Sequence, residues 1–434
     1  MLTAARRRAF LAVVALPIGS VSLHAQTCPD AAALTRGLAE PLATVRFLAD
    51  DALEGRLAGS PGERCAADYI AARMAALGLS GAGTDGSFFQ DVPVPVQGGQ
   101  GADPHSANPH ASVTGRNVVA LLEGSDASVR NEVVIIGAHY DHLGMGGAGS
   151  LAPGTAAIHN GADDNASGVA ALLRVAALLS AERPARSVLF IAFTGEESGL
   201  IGSAFFARTP TVDLEYARAM LNMDMVGRLE DDPLIIYGIG TAVEWAAIVE
   251  REAARAQIDV ALQPDGVGPS DHTSFYLRDI PVLHFFTNTH SDYHRPSDDW
   301  DRVDADGIER VAGLVATLAL QVATPPLSLT LQRGAGQPPR APVTGSGAWL
   351  GTIPDFSPVE RGVLLGGVTT ESPADKAGMQ RGDVLIRLAG REIADLQGFT
   401  DALAGHAPGD EVELVVIRDG REVRLQAVLG RRGG

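Results

Sequence analysis

The segment that most restricts how this chain folds runs from Val133 to Leu173. It opens with four apolar, mostly β-branched residues, Val133 to Ile136, too short a run for a typical helix. That reads as a buried strand. His139, Asp141 and His142 stand at its C-terminal end. A Gly-rich loop then leads to Gly161-Ala162-Asp163-Asp164-Asn165-Ala166-Ser167-Gly168, and an apolar helical run begins at Val169. An open α/β sheet gathers its ligands in this way, beyond the carboxyl ends of its strands.

The pattern recurs downstream. Ser187 to Phe193 reads as a strand ending in Thr194-Gly195-Glu196-Glu197-Ser198-Gly199, and Ala219 to Met223 as one ending in Asp224. Leu234 to Tyr237 precedes a helix over Ala242 to Ala256. Pro281 to Phe286 precedes a segment holding His290, Asp292, His294, Asp298 and Asp299, and a last helix covers Asp304 to Val322. Upstream, helices are expected over Pro41 to Leu53 and Pro61 to Leu77, a polar surface loop over Gln97 to Gly115, and a strand over Asn117 to Leu122. Alternation of this kind predicts an α/β fold: a three-layer α/β/α sandwich with a mixed, largely parallel sheet.

Histidines and carboxylates recur where these strands end, with no thiolate among them. That donor set suits zinc in a catalytic role, and its size suits two Zn2+ per chain. One charge-balanced arrangement has Asp164 bridging, His139 and Asp224 on one ion, and Glu197 and His294 on the other. Three carboxylates against two dications leave a single positive charge, which one hydroxide neutralises. Glu196 is then free to act as a general base. Asp141, two residues after His139, is placed to accept that histidine's other N–H. His142 and Asp163 are read as non-ligands, and His105, His110, His159 and His290 as solvated loop side chains.

At these residues the chain resembles the co-catalytic dizinc aminopeptidase family, the secreted bacterial leucyl-type enzymes related to glutamate carboxypeptidase and the transferrin receptor. The matching motifs are His139-Tyr140-Asp141, Gly161 to Gly168, Gly195-Glu196-Glu197-Ser198-Gly199, Asn222-Met223-Asp224 and Tyr293-His294-Arg295-Pro296-Ser297-Asp298. They stand in the family's order. The resemblance implies that His139 and Asp224 hold one zinc, Glu197 and His294 the other, with Asp164 bridging. It further implies Glu196 as the base acting on a metal-bridging water, Tyr293 as a hydroxyl stabilising the tetrahedral intermediate, and a cis peptide after Asp164. The implied activity is removal of N-terminal residues from peptides. The alternatives are a carboxypeptidase or other amidohydrolase on the same site, or a non-enzymatic peptide-binding scaffold.

The formal charge of −18 excludes a nucleic-acid partner of the usual basic kind. Arg6-Arg7-Arg8 before the apolar run Ala9 to Ile18 reads as an export signal over residues 1–25, and Arg7-Arg8-Ala9-Phe10-Leu11 resembles the twin-arginine motif. The run is too short for a stable membrane span. A periplasmic or extracellular protein is therefore expected, with Cys28 and Cys65, its two cysteines, joined in a disulfide.

The peptidase domain is assigned to residues 26–323 and a Pro/Gly-rich linker to 324–347. From 348 to 434 the pattern turns to short strands, a capped turn at Ser372 and a hairpin at Asp419-Gly420. This resembles a small β-rich PDZ domain of the bacterial type. Trp349-Leu350-Gly351-Thr352 matches its carboxylate-binding loop, so a peptide C-terminus is the implied ligand there. Pro354 departs from the pattern, since a proline cannot donate to an added strand.

Overall fold

The computed structural model describes residues 28–95, 112–147, 149–152, 156–229, 233–333, 348–355, 359, 361–369, 372–394 and 396–431. The segment read as an export signal, His105, His110 and most of the segment read as a linker lie outside the described residues. Nine strands form the first sheet: β1 (Ser80–Gly81), β2 (Phe89–Pro95), β3 (Ser112–Leu122), β4 (Val133–His139), β5 (Ser187–Phe193), β6 (Ala217–Met223), β7 (Leu234–Tyr237), β8 (Val260–Leu262) and β9 (Val282–Phe286). Their order is β1-β3-β5-β4-β6-β9-β7-β8, with β2 also paired to β3. The inner strands β5, β4, β6 and β9 run parallel, while β3 and β7 flank them antiparallel. The sheet is thus mixed and largely parallel at its centre.

The helices are α1 (Ala31–Leu34), α2 (Leu42–Leu48), α3 (Pro61–Ala76), α4 (Gly168–Glu182), α5 (Ile201–Arg208), α6 (Trp245–Ala256), α7 (His272–Tyr276) and α8 (Ala305–Val322). Period-two alternation sorts each central strand between two cores. Val188, Phe190 and Ala192 of β5 face the core shared with α2, α3, α4, α6 and α8. Leu189, Ile191 and Phe193 face the smaller core containing Phe206 of α5 and Phe275 of α7. A strand buried on both faces needs apolar residues at every position, which is why β4 and β5 read as continuous apolar runs. Crossover helices α4 and α5 return the chain to the same edge, so the carboxyl ends of β4, β5, β6 and β9 collect together.

The expected Gln97–Gly115 loop is shorter than its composition implied, because Ser112 to Gly115 already pair with β2. The chain after α8 also stays on the first domain as far as Arg333. Leu331 bridges to Ala242, Gln332 N–H donates to Thr241 O, and Arg333 pairs with Asp279 at 2.7 Å. Among the described residues no helix is long and apolar enough to cross a membrane. The Cys28–Cys65 disulfide is present and ties the segment before α1 to α3.

The second domain has its own apolar core, from Leu350 to Leu429. Strands β10 (Ala348–Trp349) and β17 (Gly430–Arg431) pair separately. The main antiparallel sheet holds β11 (Thr352–Asp355), β12 (Val363–Val368), β13 (Val384–Leu388), β14 (Arg391–Glu392), β15 (Glu411–Arg418) and β16 (Arg421–Val428). Helices α9 (Pro373–Lys376) and α10 (Leu396–Ala404) accompany it. β11 is an edge strand, and its register slips between Ile353 and Pro354, where the proline interrupts the ladder.

Candidate active site

The strand ends bring together every residue expected at the metal site. His139 is the last residue of β4, Asp224 follows β6, Glu196 and Glu197 lie in the turn after β5, and His294 lies in the loop after β9. Asp164 sits between β4 and α4, and the bond from it to Asn165 is cis. Its two carboxylate oxygens face opposite ways: Oδ1 is 3.3 Å from His139 Nε2, and Oδ2 is 3.1 Å from His294 Nε2. Asp224 Oδ1 is also 3.3 Å from His139 Nε2, and Glu197 Oε2 is 3.3 Å from His294 Nε2. Two donor groups therefore meet at one shared carboxylate.

Glu196 is set back from this ring, with Oε2 3.9 Å from His139 Nε2, farther than either Asp164 or Asp224. Burial, with Asp224 and Glu197 nearby, pushes its carboxyl well above the usual range despite His139. Glu197 goes the other way: burial opposes ionisation, yet His294 and His142 hold its carboxyl down to about 2. Two adjacent carboxylates are thus given different proton affinities by their surroundings.

Backbone hydrogen bonds hold the ligand-bearing loops. Asp298 accepts the amide N–H groups of Asp163 and Asp164 at 3.0–3.1 Å, and Asn165 Oδ1 accepts those of Gly168 and Met225. A Cβ on Gly168 would fall 2.1 Å from Asn165 Oδ1, so the helix can begin this close only at a glycine. Arg56, fully buried, donates to the carbonyls of Tyr140, Leu48, Asn160 and Gly161. It thereby ties the loop after His139 to the loop before Asp164.

Several smaller expectations need correction. His139 Nδ1 lies 3.2 Å from the carbonyl oxygen of Asp141, closer than the 3.7 Å to its carboxylate. The Asp141 carboxylate also accepts the Glu196 N–H at 3.1 Å, so it shapes the turn after β5. His159 is not solvated: it is buried, with its ring against Ser150 Oγ and Ala157 O. His290 contacts the carboxylate of Asp163, which also accepts the Gly227 N–H. Asp163 is therefore occupied away from the donor ring.

Ser270 stands outside the motifs, and the sequence reads His142 only as a non-ligand. Ser270 donates to Asp224 Oδ2 at 2.7 Å and accepts from Asn222 Nδ2 at 2.9 Å, orienting the Asp224 carboxylate. His142 is buried with Nδ1 2.6 Å from Glu197 Oε1, although off the line of a regular hydrogen bond. Neither is signalled by a long motif; only Ser-Asp-His before a short helix hinted at the first.

The donors line a cavity of about 80 Å³. Met225, Tyr237, Pro269, His284 and Phe286 form its apolar side, and Tyr293, stacked on His294 at 3.9 Å, and Thr289 lie at its rim. The donor set passes the chemical test for zinc. It is imidazole and carboxylate, it converges from four strand ends, and donor atoms of His139, Glu196 and Asp224 lie within 4.8 Å of one another, as do those of His142, Asp164 and Glu197. In the second domain, Gly351 takes φ +85°, Leu350 is buried and accepts from Ala374 N–H, Trp349 pairs with Gly430, and Thr352 opens β11.

Peptidase family M28 is matched over residues 117–319, and a PDZ domain over 354–429. The uncharacterized protein YfbL of Escherichia coli (strain K12) is 30% identical over 240 residues, spanning 47% of this chain and 70% of YfbL. Leucine aminopeptidase 2 of Trichophyton rubrum is 29% identical over 184 residues, spanning 39% of this chain and only 33% of that relative. Among solved structures, the aminopeptidase from Aneurinibacillus sp. strain AM-1 superposes with a TM-score of 0.51 at 20% identity, covering 73% of this chain and 99% of its own.

Proposed function

Because the chain belongs to peptidase family M28, we propose that it is an exported zinc aminopeptidase carrying two metal ions and removing N-terminal residues from peptides. The observation that carries the amino-terminal specificity is the charge of the cavity. Every ionisable residue among those lining it is a carboxylate, an imidazole or a tyrosine, with no arginine or lysine. A carboxypeptidase needs a cation for its substrate's terminal carboxylate. The lining has no side-chain cation to pair with a terminal carboxylate, and the apolar wall of Met225, Tyr237, Pro269 and Phe286 suits an apolar first side chain.

His139, Asp164 and Asp224 would hold one zinc, and Asp164, Glu197 and His294 the other. When bound, the ions supply Lewis acidity at the scissile carbonyl and a lowered pKa for the attacking water. Glu196, set back from the donors, takes the proton from that water and delivers it to the leaving amine. Asp141 holds the Glu196 backbone for this transfer. Tyr293 at the rim offers a hydroxyl to the developing oxyanion, and burial among Asp164, Glu197 and Glu196 keeps it protonated by raising its pKa well above the usual phenol range. Export is supported by the disulfide, which persists in oxidising compartments.

The test separates base from ligand. Glu196→Ala should keep both zincs by elemental analysis and lose about 10²–10⁴-fold in turnover of leucine anilide, the range for one general base. Glu197→Ala should lose zinc as well. Equal zinc loss in both variants would remove the assignment, and cleavage of peptides with blocked N-termini would remove the aminopeptidase reading.

A further inference from the structure

The PDZ domain touches the peptidase domain at the edge of the cavity. Thr289, which lines the cavity, donates its hydroxyl to the carbonyl of Pro354 at 2.5 Å. Its neighbour Asn288 donates Nδ2–H to Asp355 Oδ1 at 2.7 Å. Both acceptors belong to β11, the edge strand of the PDZ sheet. The next strand is close as well, because a Cβ on Gly366 of β12 would stand 3.3 Å from Thr289 Oγ1. Asp355 is near enough to Tyr237, on the cavity wall, to help burial and Asp265 raise that phenol's pKa.

We propose that the PDZ domain is the length filter of this peptidase: β11, latched to Asn288 and Thr289, narrows the way into the cavity, admitting short peptides and slowing long ones. The proposal rests on the aminopeptidase reading. A peptide whose first residue enters the cavity must carry the rest of its chain out past the lining, of which Thr289 is part. Thr289 is also the residue that carries the β11 contact. An edge strand is also the strand to which a PDZ domain adds a peptide, yet here Pro354 breaks the ladder and its carbonyl is held by the other domain.

The experiment uses the full-length, zinc-loaded chain with leucine anilide and a leucine-led dodecapeptide. Asp355→Lys removes the acceptor of Asn288, and Gly366→Phe drives a wedge against Thr289. Each should raise kcat/KM on the dodecapeptide by about tenfold, as expected for a lost hydrogen bond to a charged group. Zinc content should stay at the wild-type level, and anilide turnover within about twofold of it. If both variants fold, by circular dichroism, and neither changes the dodecapeptide-to-anilide ratio, the proposal is overturned. If wild type cleaves neither substrate, the aminopeptidase reading fails instead.

Discussion

His142 shows how one side chain can matter to a metal site without standing in the expected ligand set. Its ring fills space that only a glycine at 161 leaves open, since a Cβ there would lie 2.5 Å from His142 Cγ. From that slot Nδ1 reaches Glu197 Oε1, leaving Oε2 turned toward His294. Groups that orient a ligand in this way change metal affinity by about 10–100-fold when removed. His142→Ala should therefore weaken the second zinc by about that factor while the first binds normally, as read by titrating zinc into metal-free protein. Two sites of unchanged affinity would show that the ring only fills space. The residues legible in the sequence, such as His139, Asp164 and Glu197, sit in short polar clusters that interrupt apolar runs. His142 and Ser270 were not legible as functional, because their partners Glu197 and Asp224 are dozens of residues away and nothing local marks the pairing.

Whole elements were easiest to read where burial left one solution. β5 and β7 fall where their apolar runs place them, and α8 begins one residue after its capping residue Asp304. β2 was hidden because Pro93 and Pro95 interrupt an alternation that is nonetheless buried at Gln90, Val92 and Val94. Prolines fit there because, among the described residues, β2 pairs with β3 alone. Helix α7 was missed because five residues carry too little periodicity. In the connector before α3, Arg56 joins the loop after His139 to the loop before Asp164 through their carbonyls. Burial lowers its pKa to about 10, and the nearby carboxylates Asp141, Asp164, Asp298 and Glu197 keep it from falling further. Arg56→Met should cost about 3–5 kcal/mol, the range for breaking a buried charged network, measured by urea unfolding of the zinc-loaded protein. Loss of the disulfide in Cys65→Ser should cost about 3–4 kcal/mol in the chain-entropy model, and should leave zinc content unchanged.

At the scale of the molecule, folding and metal binding are linked. The donors come from segments as far apart as β4 and the loop after β9, so unfolding scatters them. With free zinc a thousandfold above its dissociation constant, binding adds about 4 kcal/mol to stability. Chelation should accordingly lower the melting temperature of the first domain in calorimetry and leave that of the second, whose core is separate. A single transition that shifts as a whole would mean the domains unfold together. A shortened chain should end after Arg333 and not at Ala323, because Arg186 donates to the carbonyls of Val322 and Leu327 and the segment to Arg333 still covers α6 and α7.

Where that packed segment stops has a consequence for the latch. Residues 334–347, a tether of 14 residues, separate Arg333 on one domain from Ala348 on the other. Because one chain carries both groups, their contact is intramolecular. Asn288 and Asp355 therefore find each other at a rate that dilution cannot change. A contact too weak to hold two separate proteins together can form here, and a free peptide reaching for β11 competes against a partner that never diffuses away.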